Sequence, residues 1–195
     1  MTASQPAKPR HHGNLKTALV EAGVALLAEG GHGALTLRKC AARAGVSHAA
    51  PAHHFNGLKG LMTAIVAQGF KLFTQTMIEH RDAASNTPHA RLVAVCNGYL
   101  AFAQDNQAMA ALMYMTDEIF SCDPEFQTAS AAAYQVLAEA CAPFNTGSAG
   151  PKGVEVLIWS LVEGYASLAR AGTIDTSETP FADILPRLNL QLQKN

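Results

Sequence analysis

The 195-residue chain is long enough for one or two domains with a substantial core, and no apolar run approaches the roughly 20 residues that a membrane span needs. Apolar residues make up 49% and aromatic residues only 7%, with alanine in every quarter, a balance that favours close-packed helices over a strand-rich fold. The net charge of −1 hides an asymmetry: through His80 there are eight Lys/Arg against three acids, and beyond it six against twelve, so only the front suits a polyanion.

The N-terminal MTASQPAKPRHHG is polar, holds two prolines and has no apolar h-region, so it reads as a disordered basic arm over residues 1–13 rather than a secretory signal. A first helix is expected from about Leu15 to Glu29, capped by Asn14. Leu15, Ala18, Leu19, Ala22, Leu26 and Leu27 line one face of it, and Gly30-Gly31 stop it.

Leu35–Phe55, LTLRKCAARAGVSHAAPAHHF, reads as a helix-turn-helix DNA-binding unit. Thr36 can cap a helix on which Leu37, Cys40, Ala41 and Ala44 form an apolar stripe, with Arg38, Lys39 and Arg43 turned away. Gly45 ends that helix and Val46 fills the corner. Ser47 is a second cap, opening a short helix through His54 that offers His48, Ala49, Ala52 and His53 outward. Pro51 deletes one intrahelical bond near the start of this second helix, at small expected cost. A helical hairpin buried in an all-α core is the competing reading of the same residues.

Asn56-Gly57 forms a turn, and a long helix to about His80 follows, with Leu61, Ile65, Phe70, Leu72, Phe73 and Met77 on its apolar side. Such a helix gives an event in the rear of the molecule a rigid lever on the front. The polar AASNTP at 83–88 is a connection and a candidate domain boundary. Further helices are expected at about Pro88–Gln104, from an Asn106 cap to near Phe120, from Pro124 to about Ala142, at about Val154–Ala171 and at about Pro180–Leu192. Phe144–Gly153 forms a loop. The fold class is therefore all-α, with about nine helices.

The sulfur- and aromatic-rich rear residues Tyr99, Phe102, Met109, Met113, Phe120, Tyr134 and Trp159 line either a pocket for an apolar small molecule or an ordinary core. Glu163 is an acid inside an apolar helix, which is costly to bury unless paired. It fixes a ligand's polar group, pairs with Arg170 or another base, or faces water. The histidines show no i, i+4 pair, and Cys40, Cys96, Cys122 and Cys141 form no C-x-x-C pair. Neither a metal site nor a disulfide framework is expected, and a reducing cytoplasm is the simpler setting. No nucleophile elbow, phosphate loop or zinc-protease motif occurs; an enzyme and a helical protein-interaction module without DNA binding are the competing classes.

Leu15–Leu61 resembles the N-terminal domain of TetR-type transcriptional regulators. The resemblance is carried by Ala22, Leu26, Leu27, Glu29 and Gly31, then Thr36, Arg38, Ala41, Ala44, Gly45, Val46, Ser47, His54 and Phe55. It implies phosphate contacts from Thr36 and Leu37, base contacts from Arg38, His48 and Ala49, and a position near DNA for His53. Ala52 stands where the family usually has tyrosine. Leu58 replaces a common lysine, with Lys59 one place later. The DNA-facing set so implied is Thr36, Leu37, Arg38, Ser47, His48, Ala49, Ala52, His53 and Lys59.

Leu100–Met115 and Trp159–Leu168 look like one effector-domain variety of the same family, in which Glu163 stands where histidine is frequent. The resemblance implies a DNA-binding domain over 14–60 and an effector-binding and dimerisation domain over 61–195, whose last two long helices pair across a two-fold axis. It implies a cytoplasmic homodimer on a palindromic operator, most simply a repressor released by a small-molecule effector, with neither cofactor nor catalysis. Helix-turn-helix dimers of this kind read half-sites about 34–36 Å apart.

Overall fold

The computed structural model describes residues 15–193; the basic arm and the Asn14 cap lie outside them. Eight α-helices run in the order α1 (Leu15–Gly30), α2 (Leu37–Arg43), α3 (Gly57–Ala83), α4 (Pro88–Asp105), α5 (Gln107–Met113), α6 (Pro124–Cys141), α7 (Gly153–Arg170) and α8 (Phe181–Ile184). Among the described residues the nearest approach to a strand is a single antiparallel bridge between Phe144 and Leu192. No described helix is long and apolar enough to cross a membrane.

Local chemistry sets most of these boundaries. Thr36 caps α2 by accepting from the Lys39 amide at 3.1 Å. Gly45, at φ 68°, closes it by the paired bonds of a Schellman turn, Val46 N to Ala41 O and Gly45 N to Ala42 O. Thr87 caps α4 ahead of Pro88, and Asp123 caps α6 ahead of Pro124 by accepting from the Glu125 and Phe126 amides.

Three expectations need correction. The segment after Ser47 is not an α-helix but a turn at His48-Ala49 followed by a 3-10 helix over Ala50–His53, and Ser47 makes no side-chain cap. Pro51 has no N–H to return to the Ser47 carbonyl. Ala50 N takes that carbonyl instead, at 3.0 Å, and the chain winds on through i→i+3 bonds. Asn106 does not cap α5; its amide donates back to Phe102 O, and α5 stops at Met113, well short of Phe120. The expected last helix is broken: α8 ends at Ile184, Pro186 enforces a 3-10 turn, and Asn189 turns left-handed at φ 47°. The tail then lies along 143–145, bonding Asn145 N to Gln191 O and Gln193 N to Pro143 O.

Helix α3 is the spine. Its first half packs on α1 and α2, and its length is sandwiched by α4 and α6. The segment 84–87 is thus a tight turn between two helices packed along each other rather than a break between bodies. Gly98 on α4 allows the closest approach, since a Cβ there would come within 2.7 Å of the Met77 Cα. One continuous apolar core runs from Leu19, Leu27 and Cys40 at the front through Ile65 and Val66 to Phe144, Ile158 and Leu185 at the rear.

Candidate functional site

Two features stand out, one at each end of α3. At the front, Thr36, Arg38, Ser47, His48, Ala49, Ala52 and His53 are all exposed and Leu37 is half-buried. Ala50, Pro51 and Phe55 are turned into the core, so the 3-10 turn presents its histidines and alanines outward from a fixed base. Much of the basic charge of the front half is engaged internally. Arg43 grips Glu29 through two bonds of 2.6 and 2.7 Å, which holds the Glu29 carboxyl below its usual range. Lys16 and Lys71 both reach Glu125, at 3.0 and 2.6 Å. Among the described residues Arg38 and Lys39 have no ion pair, which leaves them as the cations available to an external anion.

Lys59 does not join this group. Half-buried, it donates to the Asp117 carbonyl at 2.9 Å and lies 5.3 Å from the centre of the Phe120 ring. Thr63, one turn further along α3, accepts from the Phe120 amide at 2.9 Å. Residues 114–120, between α5 and α6, are thereby strapped onto the first turns of α3, immediately behind the 3-10 turn.

At the rear, α3 to α7 line a cavity of about 150 Å³. Of the eight residues proposed from sequence as pocket lining, it brings together Tyr99, Phe102, Met113, Tyr134, Trp159 and Glu163. Met109 is not among them: it sits over Gly69, filling the slot left by the missing side chain, where a Cβ would come within 2.6 Å of its sulfur. Phe120 belongs to the strap, under Lys59. Phe70, Phe73 and Met77 of α3 complete the wall, together with Tyr114 and Arg170. Their i, i+3, i+7 spacing marked them as an apolar face, but that pattern cannot separate a cavity wall from a filled core.

The rings pack edge to face, Phe73 against Tyr99 at 4.9 Å and 83°. Into this apolar space projects one carboxylate. Glu163 Oε2 accepts from the hydroxyls of Tyr99 and Tyr114, the latter at 3.0 Å, and those two hydroxyls lie 2.7 Å apart. Burial pushes both phenols up from their ordinary range, so they remain neutral donors. Glu163 is thus held by tyrosines rather than by Arg170, which lies two turns along α7.

A larger cleft of about 1060 Å³ opens between α1, α3 and the α4–α5 junction. It is of mixed polarity, and the Lys16–Glu125–Lys71 bridges form part of its lining.

The family model for bacterial regulatory proteins of the tetR family matches residues 19–65, and that for the tetracyclin repressor-like C-terminal domain matches 92–188. The chain belongs to the TetR family. It is a transcription regulator with a DNA-binding helix-turn-helix domain, whose second helix is here the 3-10 turn at 50–53. A TetR-like fold is shared with solved structures over nearly the whole chain. A Rhodococcus sp. RHA1 protein described as of unknown function is 26% identical, covering 93% of this chain and 95% of its own, with a TM-score of 0.76. The multidrug-binding protein EbrR, solved with imidazole, is 16% identical over 96% and 99%, with a TM-score of 0.64. The regulator LfrR from Mycobacterium smegmatis, solved with proflavine, is 20% identical over 93% and 99%, with a TM-score of 0.62. No curated protein matches the sequence.

Proposed function

We propose that this TetR-family chain is a cytoplasmic homodimeric repressor, released from a palindromic operator when a small molecule enters the α3–α7 cavity. The observation that carries the reading is shared structure. The helix whose Phe70, Phe73 and Met77 wall the cavity begins at Gly57, directly behind the exposed reading turn. A second link runs through Tyr114, which bonds Glu163 in the cavity and opens the strap that Thr63 and Lys59 hold. The imidazole and proflavine named for EbrR and LfrR support a small-molecule effector for this chain.

Residues up to 60 read DNA in this scheme, and residues from 61 hold effector and partner. Thr36 and Leu37 meet phosphate, Arg38, His48 and Ala49 meet base edges, and Ser47, Ala52 and His53 border them. Lys59 acts through the strap. The dimer forms through α7, whose Val156, Leu157 and Leu168 are 61%, 43% and 46% exposed, an apolar stripe too long for an unpartnered surface helix. Ligand favours a spacing of the two heads that no longer fits successive major grooves, and it acts only to the extent that it binds the two spacings unequally.

The test is selection of genomic fragments by the purified protein, followed by footprinting of the recovered site. A salt-sensitive footprint with two half-sites one helical turn apart is expected. Recovery of no preferred fragment at low salt would reject the reading.

A further inference from the structure

The cavity contains one acid among its lining residues, and that acid has hydrogen bonds but no countercharge. Glu163 takes both tyrosine hydroxyls on Oε2; among the described residues its other oxygen accepts no bond and no ion pair reaches it. Arg170 lines the same cavity but stands seven residues along α7, about 10 Å at the helical rise, and is exposed. The two tyrosine hydroxyls share one oxygen of the half-buried Glu163 and leave the other open to a ligand. Tyr99, Tyr114, Tyr134 and Trp159 bring aromatic rings to the same space, and ring faces attract cations.

We propose that the cavity takes a small organic cation, an ammonium or amidinium on a single aromatic or short apolar body, with its charge seated against Glu163 beside Tyr99, Tyr114 and Trp159. This rests on the effector reading of the cavity and adds the ligand's chemistry. A volume of about 150 Å³ suits one ring, a size at which apolar protein cavities are known to hold benzene. A neutral molecule leaves the carboxylate without countercharge, and an anion meets it directly. A cation placed there also competes for the oxygen that holds Tyr114, the first residue of the strap to Thr63.

Trp159 is the chain's one tryptophan, so its fluorescence reads the cavity without a label. The protein is titrated with benzyltrimethylammonium, with its neutral isostere neopentylbenzene and with phenylacetate. The cation should bind about ten-fold or more tighter than the isostere, and phenylacetate weakest. Glu163→Gln should erase the preference for the cation over its isostere; the wild-type comparison stands even if that variant fails to fold. Equal binding of cation and isostere, retention of the preference by a folded E163Q, or no fluorescence response to any of the three overturns the proposal. Operator release is measured in parallel. Release by the neutral compound but not by the cation overturns this inference and leaves the repressor reading intact, whereas cation preference without operator release by any of the three supports the inference and rejects the effector-released repressor.

Discussion

Thr63 on α3 accepts from the Phe120 amide at 2.9 Å while donating to the Lys59 carbonyl at 2.8 Å, and it is the one fully buried polar side chain among the described residues. Thr63→Val keeps the shape and removes the acceptor, leaving the Phe120 N–H unpaired beside the core. A loss of about 1–3 kcal/mol in urea unfolding is expected. Because the strap starts at Tyr114, the same variant should need more effector for a given release of operator, with little change in fluorescence-detected binding. Unchanged coupling would show that the strap is only structural.

Arg38 and Lys39 are adjacent on α2 and differ in what they should read. Arg38→Ala should cost about 1–3 kcal/mol at the preferred operator and relax base preference at one position. Lys39→Ala should weaken all sequences alike and lower the slope of affinity against salt by about one per protomer. Binding to a panel of single-base operator variants at several salt concentrations separates the two. Lys59→Met should leave that slope unchanged, since its ammonium is already bonded to the Asp117 carbonyl.

Leu157→Glu places a charge on the exposed apolar stripe of α7, at the edge of the face on which Val154, Ile158 and Val162 are buried. Helix content by circular dichroism should be retained. Sedimentation should report monomer, and operator affinity should fall because each head then binds one half-site alone. A variant that sediments as a dimer would place the two-fold axis elsewhere.

Lys71 and Lys16 hold the Glu125 carboxyl below its ordinary value of 4.5. A carboxylate with a depressed folded pKa stabilises the native state above its unfolded pKa, and that contribution disappears as pH falls through the lower, folded value. Glu125→Gln should therefore be less stable than the parent at neutral pH and converge with it in acid, below about pH 4.5. Both bridges are partly exposed, so the difference should be small and should shrink in high salt. A constant difference from pH 7 to pH 3 would show that packing, not charge, is responsible.

Gly98→Ala should destabilise by about 1–3 kcal/mol in urea unfolding, because the new methyl meets the α3 backbone at Met77. An unchanged midpoint would mean that α3 and α4 can separate at no cost.

What was legible in the sequence follows the range of each interaction. Thr36, Gly45, Pro88 and Pro124 act on neighbours within four residues, and the helices they bound were readable from those residues alone. Pro51 is visible too, but one missing donor near the start of so short a helix removes the α-helical pattern altogether, which is more than the single lost bond suggests. Glu163 could be singled out as an acid on an apolar face, whereas its partners lie 64 and 49 residues away. The same distance problem hid the Lys59–Asp117 bond and the seat of Met109 over Gly69, which depend on how helices cross rather than on any local pattern.

Helix α3 is unbroken for 27 residues. At 1.5 Å per residue it is about 40 Å long, so a tilt of roughly 5° about its rear end displaces its front by about 3.5 Å, close to one base-pair step. A tilt that small would put the reading turn out of register by a whole letter of an operator.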